Sequence, residues 1–313
     1  MTRTRMACAA VCSLILIARA QADPKVAYQE SGEGFRVGVK IRILDLADGS
    51  VTQFTDDWLR EAWPSWGPGG ETLVAHGHRD SNDDIFRARV GGERTWLTNH
   101  PEGDITPAWS PDGGRIAFAS TRDGGVQLFV MDADGGDLRR VTNDAFYSST
   151  PSWSPDGRRL VYGYGDGWNF SALRILDLAT GRSHDLTDRN GRRHAPHWSW
   201  DGEHVAYSVQ DDALNEFHVE VVSVDRKDAW RLTEDAGPLN SGAAWTPDGD
   251  VSFTTQRGDR RHIAVTGLRG GDIELLTDSL THQNSLAWYN PRYFAVRPLS
   301  VLQPKVWGWL KAR

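Results

Sequence analysis

The residues of this chain best suited to chemistry are its histidines, and His76 and His78 are spaced for it. Two apart on a strand end, both imidazoles fall on one side, where a third ligand from a neighbouring loop would complete a metal site. The aligned positions of the next unit hold Ala119 and Thr121, so an ordinary loop is the competing reading. Asp132-Ala133-Asp134-Gly135 opens like a calcium loop, but no Glu stands at its twelfth position and the segment matches hairpin turns elsewhere in the chain. Gly163, Gly165 and Gly167 resemble a phosphate cradle, yet nothing helical follows to present its N-terminus to an anion. The remaining candidates are scattered loop residues: His100, Tyr147, Trp168, Arg193, His194 and His282. With His76 and His78, and with Asp83, Asp84, Asp211 and Asp212 in the same set of loops, they make a mixed aromatic, His and acidic rim suited to binding. Trp58 and Trp63 are further candidates for stacking on a sugar ring or a partner protein.

What must position these residues begins with export. Arg3 and Arg5, the apolar run from Val11 to Ala18 and Ala20-Gln21-Ala22 predict a signal peptide over residues 1–22 and a mature chain over 23–313. Cys8 and Cys12, the two cysteines of the sequence, both lie in that signal. The mature chain is therefore expected to lack disulfides, thiol nucleophiles and cysteine metal ligands. No later stretch reaches the 18 or so consecutive apolar residues of a membrane span. The formal charge is −7, and the signal carries three arginines, so the mature chain is more acidic still. That balance argues against sequence-independent binding to nucleic acid or an anionic membrane.

A repeat organises everything after the signal. Trp66, Trp109, Trp153, Trp198, Trp245 and Trp288 recur at spacings of 43, 44, 45, 47 and 43 residues. In phase with them runs a second marker: Phe54-Thr55, Leu97-Thr98, Val141-Thr142, Leu186-Thr187, Leu232-Thr233 and Leu276-Thr277. The unit from Pro107 to Asp144 reads PAW, SPDG, RIAFAS, TRDGG, QLFVMDADGGDLRRVT. Short β-branched and aromatic runs alternate with turn residues, which predicts four strands per unit. Four short strands at a period of about 44 residues predict an all-β, six-bladed β-propeller. The N-terminus supplies later strands of one blade (Val26 to Gln29, Ile41 to Leu46, Val51 to Phe54) and the C-terminus its inner strand around Trp288. Ring closure by both ends is expected, with one strand, Tyr293 to Val296, in excess. The six phased tryptophans are assigned to the interblade core.

PAWSPDGGRIAFASTRDGG and PSWSPDGRRLVY resemble the repeats of TolB-like propellers, and LAWYNPRYFAV with VWGWLKAR is similar to the closing segment of single-domain bacterial members. The resemblance implies the propeller fold for the whole mature chain. Its repeat also occurs in prolyl oligopeptidase-like enzymes and oligogalacturonide lyases, so it leaves the chemistry open. The G-x-S-x-G elbow of the former is missing here. The expectation is an exported, periplasmic or secreted, monomeric binding or scaffolding module for a protein or glycan partner in the envelope. No cofactor is predicted. A divalent cation in the channel, calcium or a transition metal, belongs to the alternative, a metal-dependent polysaccharide-active enzyme.

Overall fold

In the computed structural model the described residues are 24–31, 39–55, 60–167, 169–189, 191–211, 216–234, 236–258, 260–277 and 283–290. The expected signal, Trp58, Trp168, His282 and Tyr293 to Val296 lie outside them. Three strands open the chain: β1 (Lys25–Ser31), β2 (Val39–Asp45) and β3 (Val51–Gln53). Blade 1 is β4 (Glu61–Trp66), β5 (Thr72–Arg79), β6 (Asn82–Arg89) and β7 (Arg94–Trp96); blade 2 is β8 (Asp104–Trp109), β9 (Arg115–Ser120), β10 (Gln127–Asp132) and β11 (Arg139–Arg140). Blade 3 is β12 (Tyr147–Trp153), β13 (Arg159–Asp166), β14 (Asn169–Asp177) and β15 (Ser183–Asp185). Blade 4 is β16 (Arg192–Trp198), β17 (His204–Asp211), β18 (Glu216–Ser223) and β19 (Ala229–Arg231). Blade 5 is β20 (Asn240–Trp245), β21 (Val251–Arg257), β22 (Arg260–Thr266) and β23 (Glu274–Leu275), and β24 (Gln283–Trp288) ends the series.

These strands form six four-stranded antiparallel sheets, and the inner strands neighbour one another in a closed ring. The closing blade has the order β24-β1-β2-β3, so both chain ends build it as the phase of the repeat requires. Period-two alternation then sorts the core. In blade 1, Leu73 and Ala75 of β5 pack towards the closing blade, whereas Val74, between them, packs towards blade 2. Each of six hydrophobic clusters fills one interface between neighbouring blades. Outer strands are two or three residues long, which leaves little edge for pairing with another chain.

The two sequence markers have separate jobs. Every repeated Thr turns its Oγ1 inward to accept the third-strand amide: Ile41, Ile85, Leu128, Leu173, Val219 and Ile263 donate to Thr55, Thr98, Thr142, Thr187, Thr233 and Thr277 at 2.8 to 3.0 Å. That bond pins the end of each fourth strand where a side chain without an acceptor would leave a buried amide unpaired. The six tryptophans are buried in the interfaces. Four of them donate an indole N–H to the preceding blade: Trp66 to the Ala287 carbonyl (3.0 Å), Trp153 to Ala108 (3.0 Å), Trp245 to His197 (2.9 Å) and Trp288 to the Ser252 hydroxyl (2.7 Å).

Candidate functional site

The two faces of the ring differ in how they are built. On one, Ser-x-Asp-Gly turns recur in blades 2, 3 and 4, with the Ser110, Ser154 and Ser199 hydroxyls donating to Asp112, Asp156 and Asp201 at 2.5 Å, and blade 5 has the related Thr246-Pro247-Asp248-Gly249. Burial alone would raise the Asp112 carboxyl, but the Ser110 hydroxyl and Gly114 amide hold it below its ordinary value. The third-to-fourth strand turns share this face, as the bond from the Ala133 amide to the Gly114 carbonyl shows (2.9 Å). On the other face the second-to-third strand loops meet the crossovers between blades. There the contacts change from blade to blade, and the candidate residues lie there.

His76 and His78 take unlike roles. His76 accepts from the amide of Thr106 in blade 2 (3.3 Å) through Nδ1, and burial pushes its pKa down to about 4. It is a neutral bridge between blades. His78 is bonded to Asp83 through Nδ1 (3.0 Å) with 39% of its side chain exposed. His100 accepts the Glu102 amide (3.1 Å) and is held by Asn82 through its carbonyl (2.5 Å). Arg193 is buried and bonds Asp188 (2.5 Å) and the Ser171 carbonyl (3.3 Å). His194 meets Phe170 edge-on, with ring centroids 5.9 Å apart. Tyr147 is half-buried beside the exposed Phe146, whose ring meets Tyr164 edge-on at 5.7 Å. The blade order therefore leaves the described candidates in two groups: His76, His78 and His100 about blade 1, and Tyr147, Arg193 and His194 about blades 3 and 4. Trp168 and His282 lie outside the described residues.

Among the described residues, three metal-ligating groups meet within 4.8 Å only at Asp201, Glu203 and His204. That cluster sits on the repeated-turn face, where Asp201 already accepts from Ser199 and the Glu203 amide. His204 leans on Trp245 of the next blade (centroids 6.3 Å apart), the place taken by Arg115 over Trp153 and Arg159 over Trp198. Its register is that of an interblade packing residue.

Three buried features escape sequence reading. Arg122 bonds Asp104 and Arg79 bonds Asp84 (3.1 Å), so in each of the recurring dipeptides Arg122-Asp123 and Arg79-Asp80 the arginine reaches an aspartate outside the dipeptide. Tyr162 donates to Asp144 (2.8 Å), which also pairs with Arg174. Tyr207 donates to Glu220 (2.8 Å), which also faces His218 (3.2 Å). Burial, then the neighbouring carboxylate, raises the Tyr207 phenol above its ordinary pKa. Cross-strand pairing of Tyr162 with Arg174 and of Tyr207 with Glu220 is the signal that could have found them, given the register.

A central channel of about 110 Å³ runs between the inner strands. Every inner strand carries a β-bulge there. The bulged residues Trp63, Thr106, Thr150, Ala195, Gly242 and Ser285 all have φ between 48° and 68°. Only one is glycine, so five side chains hold a backbone conformation that disfavours them. Trp63, expected outside the repeat phase, lines the channel from this bulge.

Known proteins are similar to this chain along most of its length. An uncharacterized protein of Agrobacterium fabrum is 31% identical over 160 residues, 48% of this chain and 55% of its own. A TolB homolog of Chlorobium luteolum is 28% identical over 100 residues, 32% of this chain and 22% of its own. The matches thus span about half or less of those relatives' lengths. The crystal structure of TolB from Acinetobacter baumannii superposes with a TM-score of 0.72 at 19% identity, covering 89% of this chain and 71% of that one. The TolB beta propeller domain matches residues 22–174 and 150–292. With the six-bladed ring and its in-phase markers, that match places the chain in the TolB β-propeller family.

Proposed function

We propose that this protein is an exported, non-catalytic propeller that binds a protein or glycan partner of the cell envelope through its loop-bearing face. The supporting observation is the contrast between the faces: on one, blades 2, 3 and 4 repeat the same Ser–Asp turn, while the other presents different side chains in each blade. Among the described residues no nucleophile, base and orienting group stand together, and the described histidines do not converge. Envelope placement rests on likeness to TolB proteins and on the predicted signal. No helix among the described residues is long and apolar enough to cross a membrane.

A photo-crosslinking residue at Phe146 on the loop face, compared with one at Asp134 on the turn face, tests this reading. Capture of one defined envelope protein or polysaccharide from Phe146 and not from Asp134 is the expected result. Equal capture from both would overturn the assignment of the face. A stoichiometric transition metal in the purified protein would instead favour metal-dependent polysaccharide chemistry.

A further inference from the structure

Asp-Gly occurs eight times in this chain, and one copy is held differently from the rest. In seven, the glycine amide donates to a backbone carbonyl three or four residues back, at 2.9 to 3.1 Å. Five of those seven aspartates also accept the amide two residues on, as Asp112 does from Gly114 (3.0 Å). Both halves of such a dipeptide are therefore tied into a turn. The eighth, Asp166-Gly167, lies on the loop face at the tip of blade 3, where Asp166 pairs with Asn169 between β13 and β14. Among the described residues the Gly167 amide donates to nothing. Asp166 is exposed, and among the described residues its carboxylate has neither a hydrogen-bond donor nor a cation beside it. Gly167 has φ of 62°, and the space that a Cβ would take there is open.

An amide nitrogen next to an aspartate can attack its side-chain carboxyl, and how often it does so depends on how readily the two reach bonding distance. A turn that uses the amide as a donor must open first, and a carboxylate held by another amide must be released first. Neither obstacle exists at Asp166-Gly167, and glycine adds no side chain to shield the nitrogen.

We propose that Asp166-Gly167 is the isomerisation site of the folded protein, where a succinimide closes and reopens as isoaspartate. The Gly167 nitrogen forms a bond to Cγ of protonated Asp166, and the carboxyl hydroxyl leaves with the amide proton as water. Water then adds to the α-carbonyl of residue 166 and breaks its bond to that nitrogen. The chain now runs through Cγ, with the α-carboxylate free and no net gain or loss of atoms. The product has one more backbone carbon between residue 166 and Asn169, at the edge of the face that bears the variable loops. The proposal holds whether or not that face binds a partner.

Ageing the full chain in warm, mildly acidic buffer tests it, with peptide mapping and labelling of the freed α-carboxylate by an isoaspartyl methyltransferase. Isoaspartate is expected at position 166 at least about tenfold faster than at any other Asp-Gly, whereas in the urea-unfolded chain all eight should react at comparable rates. Asp166→Asn reaches the same succinimide by losing ammonia, and should deamidate at least about tenfold faster than Asp112→Asn. Should Asp112→Asn fail to fold, the comparison among the eight native sites decides alone. Reaction first at a turn-face Asp-Gly, or rates in the folded chain as even as in the unfolded one, would overturn the proposal.

Discussion

Arg122 reaches both carboxylate oxygens of Asp104 through one guanidinium nitrogen, at 2.8 and 2.7 Å, joining the loop after β9 to the first residue of β8. The Asp104 side chain is fully buried and that of Arg122 is 11% exposed, while the guanidinium lies over Phe129 at 5.0 Å. Removing one member of a buried pair strands the other charge, which costs about 3 to 5 kcal/mol. Asp104→Ala is therefore expected to lower the unfolding free energy by about 3 kcal/mol in chemical denaturation. Arg89→Ala, which breaks an ion pair whose side chains are 68% and 65% exposed, should change it by less than about 1 kcal/mol. Similar effects would show that the Arg122 pair is solvated in solution.

The repeated threonines can be tested singly. Thr142 accepts the Leu128 amide (2.8 Å) and donates to Gln127 (2.8 Å). Thr142→Val keeps the volume but leaves the Leu128 amide buried and unpaired, while Gln127 Oε1 keeps the Asp144 amide (3.1 Å), a loss of about 1 to 3 kcal/mol. Thr142→Ser retains the hydroxyl and should lose less than half as much. If valine and serine are equally tolerated, the marker is explained by packing and not by its hydrogen bond.

How far the sequence reveals the molecule follows from what repeats. The threonine marker carries one hydrogen bond and the tryptophan marker one buried interblade position in a constant register, so six copies disclose blade number, phase and closure. The channel bulges also recur six times, but no one side chain is common to Trp63, Thr106, Thr150, Ala195, Gly242 and Ser285, and only backbone geometry reveals them. Arg122 points to Asp104 and not to adjacent Asp123 because the partner arrives from a neighbouring strand 18 positions away. The loop candidates were legible as residue types, but blade order decides their company, separating His78 from His194.

One loop-face turn stores strain. Asp80 and Ser81, the two residues between paired Arg79 and Asn82, have φ of 48° and 70°. Such a two-residue hairpin turn favours Asn-Gly or Asp-Gly. Ser81→Gly should raise the unfolding free energy by about 0.5 to 1 kcal/mol, measured as a higher denaturation midpoint at unchanged slope. A lower midpoint would mean that the serine side chain makes a contact that outweighs its backbone strain.

Acid sensitivity should begin with two histidines. His76 and His197 are held at about 4 against an ordinary 6.5, in both cases chiefly by burial. Unfolded chains take up these protons near pH 6.5 while the folded protein resists until about 4, so the stabilisation is full above 6.5 and is lost as pH falls towards 4. Both side chains are half-buried, which limits the effect to the order of 1 to 2 kcal/mol each across the window. Depressed carboxyls such as Asp112 and Glu220 act lower, below their ordinary 3.8 and 4.5. Between pH 7 and 5 the slope of stability should therefore flatten in a His76→Gln, His197→Ser double variant. An unchanged slope would place the titrating groups elsewhere.

Ring closure offers a comparison internal to the protein. The Trp66 indole bonds the Ala287 carbonyl across 221 positions of sequence, and the Trp153 indole bonds Ala108 across 45, each at 3.0 Å. If β24 closes the ring as one more blade interface, the two contacts share the same indole bond and each ring has one further neighbour, Tyr289 beside Trp66 (5.9 Å) and the Arg115 guanidinium over Trp153 (4.7 Å). Replacing either tryptophan by phenylalanine removes the same bond and a similar amount of buried ring, a loss of about 2 kcal/mol. Equal losses, within about 0.5 kcal/mol, are expected from Trp66→Phe and Trp153→Phe. A normal loss from Trp153→Phe with none from Trp66→Phe would mean that the closing interface opens in solution, because a bond that is rarely formed contributes nothing when removed.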